Sequence, residues 1–375
     1  MKRSVFVVKL VAVGLLFALV CVPVFSQNHP QSTLPPVTIP GTEKRTVSSS
    51  ILGEDFDLLV NLPRGYQDTT KSFPVVYLLD SQWDFPLVNA VYGEQYYDGF
   101  VPAVIVVGIT WGGADRDYDY LRARDLTPTK ISQMPQSGNA PKFLDFIAKE
   151  LFPYVNAHYR TVKNDRTLVG SSLGGLFTLH ALFHDPQVFT RFILTSPSIT
   201  WDNYALAKQE STYAKTHSDL PAKVFMGVGG FEAGTVGEVQ KFADVLRGRG
   251  YKGLQLETRV LEGIGHSGSK AEGYTRGLQS VFARSPVSVA PDLLDRYVGV
   301  YSPAPNVNVE IVRGAGGLEL RTPDHQVIPL LAESETDFYV KGFYLFLRFV
   351  RDSSGKVTGC EVEQFAGKQF IPNGK

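Results

Sequence analysis

Three residue types in this 375-residue chain have the spacing of acyl-transfer chemistry: a serine between glycines, then a carboxylate and a histidine on glycine-rich turns. Gly170-x-Ser172-x-Gly174 lies within Leu168-Val-Gly-Ser-Ser-Leu-Gly-Gly175. A short apolar run precedes it, and Leu176, Leu179 and Phe183 follow at helical spacing. A strand that turns this sharply into a helix holds its serine hydroxyl out at the bend, and side chains two residues either side would collide. Ser172 is therefore the candidate nucleophile. A serine hydroxyl attacks poorly until a base removes its proton, and the base, an imidazole, needs an acid to orient it.

In architectures built on such an elbow the acid comes next in the chain and the histidine last. The histidines after Ser172 are His180, His184, His217, His266 and His325. His180 and His184 stand four apart on the elbow helix and read as helix packing rather than a metal pair. His217 lies in a polar stretch, and His325 falls in the C-terminal region. His266, in Leu261-Glu-Gly-Ile-Gly-His-Ser267, follows a strand on a glycine-rich loop. That is where a catalytic histidine belongs. The acid is expected after the strand Lys223 to Gly229, with Glu232 and Glu238 as candidates and Asp244 too far into the next helix. Glu232 directly follows Gly229-Gly-Phe and is favoured; Glu238 also reads as a first-turn residue facing the helix dipole. The oxyanion donors expected are the N–H of Leu173 at the helix start and the N–H of Gln82, or Ser81, on the loop after Asp80. Gly227-x-Gly229 and Gly314-x-Gly316 are too fragmentary for a dinucleotide, and no Cys or His cluster has zinc spacing. No metal and no cofactor is expected.

The elements that would position these residues follow from the apolar pattern. Phe73 to Asp80 and Val101 to Ile109 are apolar on both faces, as in central strands of a parallel sheet covered by helices. Asp115 to Thr129 reads as a loop over the site, and Ala140 to His158 as a helix. Strands alternating with helices continue to about Phe282, which predicts a doubly wound, mostly parallel α/β sheet over residues 51–284. Residues 285–293 read as a linker. Residues 294–375, with short strands and turn signals such as Asp352-Ser-Ser-Gly355, read as a small antiparallel all-β domain.

The N-terminus reads as an address. Lys2 and Arg3 precede the apolar run Leu10 to Val24, and residues 1–26 have the form of a secretory signal peptide. Residues 27–50, rich in Pro, Ser and Thr, read as a leader. Removing the signal takes Cys21 and leaves Cys360 as the single thiol, so no internal disulfide can stabilise an exported chain. The mature chain is expected outside the cytoplasm, periplasmic or extracellular, with no membrane span. Its 37 basic and 37 acidic residues balance, which argues against nucleic acid as a partner.

Several segments in order carry a resemblance: Leu59-Val-Asn-Leu-Pro-Arg-Gly-Tyr66, Tyr77-Leu-Leu-Asp80, Arg124-Asp-Leu-Thr-Pro-Thr129, Phe143-Leu-Asp-Phe146, Gly170-x-Ser172-Leu-Gly-Gly175 and Gly265-His266-Ser267. Over residues 45–284 the chain resembles the esterase family of α/β-hydrolases that includes enterochelin esterases, S-formylglutathione hydrolases and mycolyltransferases. It looks closest to the enterochelin-esterase-like branch. The resemblance implies hydrolysis of small carboxylic esters, with Ser172, Glu232 and His266 at the matching positions. Ser171 stands where the family often has histidine, and Ser81 where it often has glycine. The C-terminal unit, with Tyr297-Val-Gly-Val-Tyr301, is similar to β-barrel appendages behind secreted serine hydrolases. Two other readings stay open at this level: acyl transfer to an alcohol through the same acyl-enzyme, and a non-catalytic binding protein on this fold.

Overall fold

The computed structural model describes residues 37–374 apart from 69, 365 and 366. The stretch read as a signal peptide, and residues 27–36 of the stretch read as leader, lie outside the described residues.

Alternation of side chains across a strand decides the architecture. The first strands, β1 (Thr42–Ser49) and β2 (Glu54–Asn61), form an antiparallel hairpin. Next, β3 (Phe73–Leu78) runs into α1 (Ser81–Tyr97), and β4 (Ile105–Trp111) is followed by α2 (Tyr118–Asp125). Then α3 (Ala140–Phe146) continues through a π-helical stretch, Ile147–Leu151, into α4 (Phe152–His158). From there strands and helices alternate: β5 (Thr161–Ser171), α5 (Leu173–His184), β6 (Arg191–Thr195), α6 (Trp201–Tyr213) and β7 (Lys223–Gly229). The run closes with α7 (Ala233–Arg249), β8 (Gln255–Leu261) and α8 (Ser269–Val281).

These strands make one sheet in the order β1-β2-β4-β3-β5-β6-β7-β8, parallel from β4 to β8. Both faces are covered. Val76, Leu78, Val106, Val169, Ile193 and Phe225 point to one face and pack with Phe85, Val88 and Tyr92 of α1 and with Tyr274 and Leu278 of α8. Tyr77, Val107, Leu168, Phe192 and Met226 point to the other, against Phe143, Phe146 and Phe177. Parallel connections bring the ends of β3 and β5 to β8, and the turns after them, to one edge, where ligands bind in sheets of this kind.

Three expectations are corrected. Thr42–Ser49, read as leader, is an edge strand hydrogen-bonded along β2, with Val47 buried. Tyr118–Asp125, read as loop, is a helix capped by Asp117, whose side chain accepts the Tyr120 N–H at 3.0 Å. The stretch read as linker contributes Val289 and Leu293 to a second core and starts α9 (Pro291–Tyr297).

That second core belongs to eight antiparallel strands: β9 (Gly299–Ala304), β10 (Val307–Gly314), β11 (Gly317–Arg321), β12 (Val327–Ala332), β13 (Asp337–Tyr339), β14 (Phe346–Arg351), β15 (Val357–Gln364) and β16 (Gly367–Pro372). They pair in sequence, and a bridge from Tyr301 to Asn373 brings the first strand to the last, so the sheet is a nearly closed barrel. Tyr297 stacks on Phe349 at 4.0 Å in its core. Cys360 is buried there too, and burial pushes its thiol up to about 12.

The barrel meets the α/β body away from the strand ends that carry the elbow. Arg284 lies 4.7 Å from the Phe346 ring centroid and 5.3 Å from that of Tyr339. The hydroxyls of Tyr96, near the end of α1, and Tyr344 are 3.2 Å apart. The cleft between the two parts is lined by Phe73, Pro74, Val101 and Phe346, at the starts of β3 and β4. A chain ending at Arg284 is therefore expected to fold and keep most of its turnover on a small activated ester, at lower thermal stability. Circular dichroism and kinetics on the purified fragment check this; a folded fragment without activity would show that the barrel completes the site.

Candidate active site

Ser172 joins β5 to α5 at φ 57° and ψ −114°. A non-glycine residue held in so sparse a region costs about 1–3 kcal/mol and persists only where its surroundings fix it. Here they do. The Ser172 N–H donates to Thr195 O at 3.0 Å, and Ser172 O accepts the N–H groups of Leu176 at 3.0 Å and Ser198 at 3.2 Å. The glycines of the motif have the steric role expected of them. A Cβ on Gly170 would lie 2.4 Å from Gly174 O, and one on Gly174 would lie 3.2 Å from an Asp80 carboxylate oxygen.

The loops after β7 and β8 bring Glu232 and His266 together. Glu232 Oε2 is 2.6 Å from His266 Nδ1. The carboxylate side chain is 11% exposed and the imidazole 49%, so the acid is sheltered and the imidazole opens to solvent. Glu232 Oε1 accepts the Gly229 N–H at 3.0 Å and the Ser196 hydroxyl at 2.5 Å. The backbone has to pass close here: a Cβ on Gly229 would sit 2.6 Å from Ile264 O. Glu238 is elsewhere. It pairs with Lys241 at 2.9 Å on α7, and that hydrogen bond lowers its carboxyl below the usual range. Of the two candidate acids, only Glu232 reaches His266. The hydrogen bonds of Ser172 run through its backbone, and none links its hydroxyl to His266; such bonds commonly tighten only with substrate in place.

Leu173 is the first residue of α5, so its N–H has no partner within the helix. Gln82 lies in the first turn of α1 rather than on a loop, because Asp80 (φ 54°) turns β3 directly into the helix. Asp80 O accepts the N–H groups of Trp83 at 3.0 Å and Asp84 at 3.1 Å, which leaves the Gln82 N–H one position before them. The close approach of Gly174 to Asp80 sets these two helix starts side by side. Together they favour negative charge at the elbow.

Sequence reasoning missed the residues that surround this centre. Arg122 of α2 holds Asp80 with two hydrogen bonds, at 2.8 and 3.0 Å. Burial pushes the Asp80 carboxyl up while the Arg122 charge opposes it. Arg122 also lies 5.3 Å from the Trp83 ring, and Trp83 meets Tyr118 edge-on at 5.8 Å. Asp84 binds Lys270 at 2.8 Å and the Tyr274 hydroxyl at 2.7 Å, tying α1 to α8 behind His266. Trp83, Tyr120 and Phe231 are exposed on the segments after β3, β4 and β7. His180 packs as expected, whereas His184, one turn on, is exposed with its ring 5.0 Å from that of His180. Buried His180 shares a 2.9 Å hydrogen bond with Gln209 of α6, and burial lowers its imidazole to about 4. His217 stacks on Tyr213 at 4.2 Å.

Two substitutions test this geometry. Gly170→Ala is expected to collapse the elbow and abolish activity, because the new methyl meets backbone that cannot move aside; normal turnover on an ester would contradict the packing. Glu232→Gln keeps the shape but removes the charge beside the imidazole, a change that costs up to about 10⁴-fold in kcat in a serine protease. Glu238→Gln should be near normal. The reverse ranking, on one ester at one pH, would move the acid to Glu238.

The family described as Putative esterase matches residues 49–224, and a domain family of unknown function (DUF3471) matches residues 283–371. The chain is 31% identical over 211 residues to the ferri-bacillibactin esterase BesA of Bacillus subtilis, covering 52% of this chain and 72% of that one. It is 31% identical over 187 residues to the siderophore triacetylfusarinine C esterase of Aspergillus fumigatus, covering 48% and 64%. Among solved structures, an IroE-like serine hydrolase from Shewanella oneidensis superposes with a TM-score of 0.59 at 25% identity, over 68% of this chain and 85% of that one. The BES protein from Bacillus cereus shares the fold, with a TM-score of 0.60 at 24% identity over 67% and 98%. The elbow, the strand order and these likenesses together place the chain in the esterase family of α/β-hydrolases.

Proposed function

We propose that this chain is an exported serine esterase acting on siderophore-type esters through an acyl-enzyme on Ser172. The observation that carries the mechanism is the 2.6 Å bond between Glu232 and His266 on the strand-end edge that also carries the elbow. Ser172 Oγ attacks the acyl carbon as His266 Nε2 takes its proton. Glu232 holds the ring through Nδ1 and stabilises the imidazolium. The Leu173 and Gln82 N–H groups take the developing oxyanion, and His266 returns the proton to the leaving alkoxide. Water, activated by the same imidazole, then adds to the acyl carbon and releases the acid with Ser172 restored.

The substrate class is supported by relatives whose names are those of siderophore esterases. Exposed Trp83, Tyr120 and Phe231 around the edge suit a substrate larger than a simple acyl group. Export is supported by Lys2, Arg3 and the apolar run that follows them. Among the described residues no helix is long and apolar enough to cross a membrane.

A panel of esters tests the reading, using the purified chain without its first 26 residues and Ser172→Ala as control. Siderophore triesters and trilactones should give the highest kcat/KM, with turnover absent in the control. A preference for sugar or peptide esters would keep the mechanism and replace the substrate class. Unchanged turnover in Ser172→Ala would overturn both.

A further inference from the structure

Ser196 follows the last residue of β6 with a left-handed backbone, φ 44°. Its N–H donates to Gly227 O at 2.7 Å, and the residue is 1% exposed. Glycine would adopt this backbone without steric cost. What serine adds is a hydroxyl, and that hydroxyl is placed between two of the candidate catalytic loops. Ser196 Oγ is 2.5 Å from Glu232 Oε1 and 2.9 Å from Ser269 Oγ. Ser269 Oγ in turn lies 2.6 Å from the His266 carbonyl oxygen.

The protons of this chain can be counted. Two hydroxyls supply two protons for three contacts. An ionised carboxylate only accepts, so the Ser196 proton goes to Glu232 Oε1. A carbonyl also only accepts, so the Ser269 proton goes to His266 O. Both rotors are thereby fixed. The consequence falls on the carboxylate: with Oε1 taken by Ser196 and by the Gly229 N–H, Oε2 is the oxygen left for His266 Nδ1.

We propose that Ser196 is a positioning residue for the reaction. Its hydroxyl pins Glu232 Oε1 so that Oε2 is delivered to the imidazole. The proposal rests on the assignment of Glu232 as the acid.

Ser196→Gly removes the hydroxyl and relaxes the backbone, and Ser196→Cys keeps a weak donor. Ser196→Gly is expected to lower kcat by about tenfold at unchanged KM. The acid limb of its kcat/KM profile should move to lower pH, because Glu232, no longer pinned, keeps its charge but stands less closely beside the imidazolium. In proton NMR, the downfield signal of the His266 Nδ1–H should shift or broaden away. Ser196→Cys should lie between the two; if the glycine variant does not fold, the cysteine variant decides by the same three readouts. Wild-type values for all three would overturn the proposal. So would a kcat loss with the limb and the resonance unmoved, which would mark a merely structural role. Glu232→Gln is measured alongside: wild-type turnover there removes the acid assignment and this proposal with it, whereas a slow Glu232→Gln beside a normal Ser196→Gly removes this proposal alone.

Discussion

At Ser172 the backbone takes a conformation that its surroundings must impose, and much of the α/β body can be understood as imposing it. Thr195 O on the neighbouring strand holds the Ser172 N–H, and the Ser198 N–H holds its carbonyl. Both partners lie at the end of β6, so the elbow is only as well placed as the parallel pairing of β5 with β6. That pairing depends in turn on apolar layers on both faces of the sheet. The bend also needs contact closer than any side chain permits at position 170, and a tight approach to Asp80 at position 174, which glycines allow. Sheet, cores and glycines thus act at one atom, the Ser172 hydroxyl oxygen.

The same edge handles the acid differently. Glu232 is sheltered and hydrogen-bonded through both oxygens, while His266 is half exposed. A buried carboxylate without partners would take up a proton or move; the Ser196 hydroxyl and the Gly229 N–H supply partners while leaving one oxygen for the imidazole. The ring, half exposed, keeps its other nitrogen free of that carboxylate.

The elbow was legible in the sequence because its signal is local: two glycines at fixed offsets from a serine, between a strand run and a helix run. His266 and Glu232 were legible by position, since each follows a strand and sits beside glycines. What separates Glu232 from Glu238 is burial and the reach of the side chain to His266, and spacing alone left both open. Asp80 and Arg122 bind across 42 residues, and nothing local to either announces the other. Arg122 was hidden further because α2 is a short polar helix, with Leu121, Ala123 and Asp125 buried among charged residues. β1 escaped for a similar reason. Its residues are mostly polar, and pairing with β2 rather than its own pattern makes it a strand. The barrel was legible as short strands and turns, but the role of Val289 and Leu293 in its core was masked by the Pro- and Ser-rich composition around them.

The central claim is that Ser172 becomes a nucleophile through His266, and covalent trapping tests it most directly. The chain is incubated with a fluorophosphonate, digested, and the adduct located by mass spectrometry, in parallel with His266→Ala. One adduct per chain on Ser172, with Ser171 unmodified and labelling greatly slowed in His266→Ala, is the result expected. An unlabelled but folded chain, an adduct on Ser171, or equal rates in the two proteins would contradict the account.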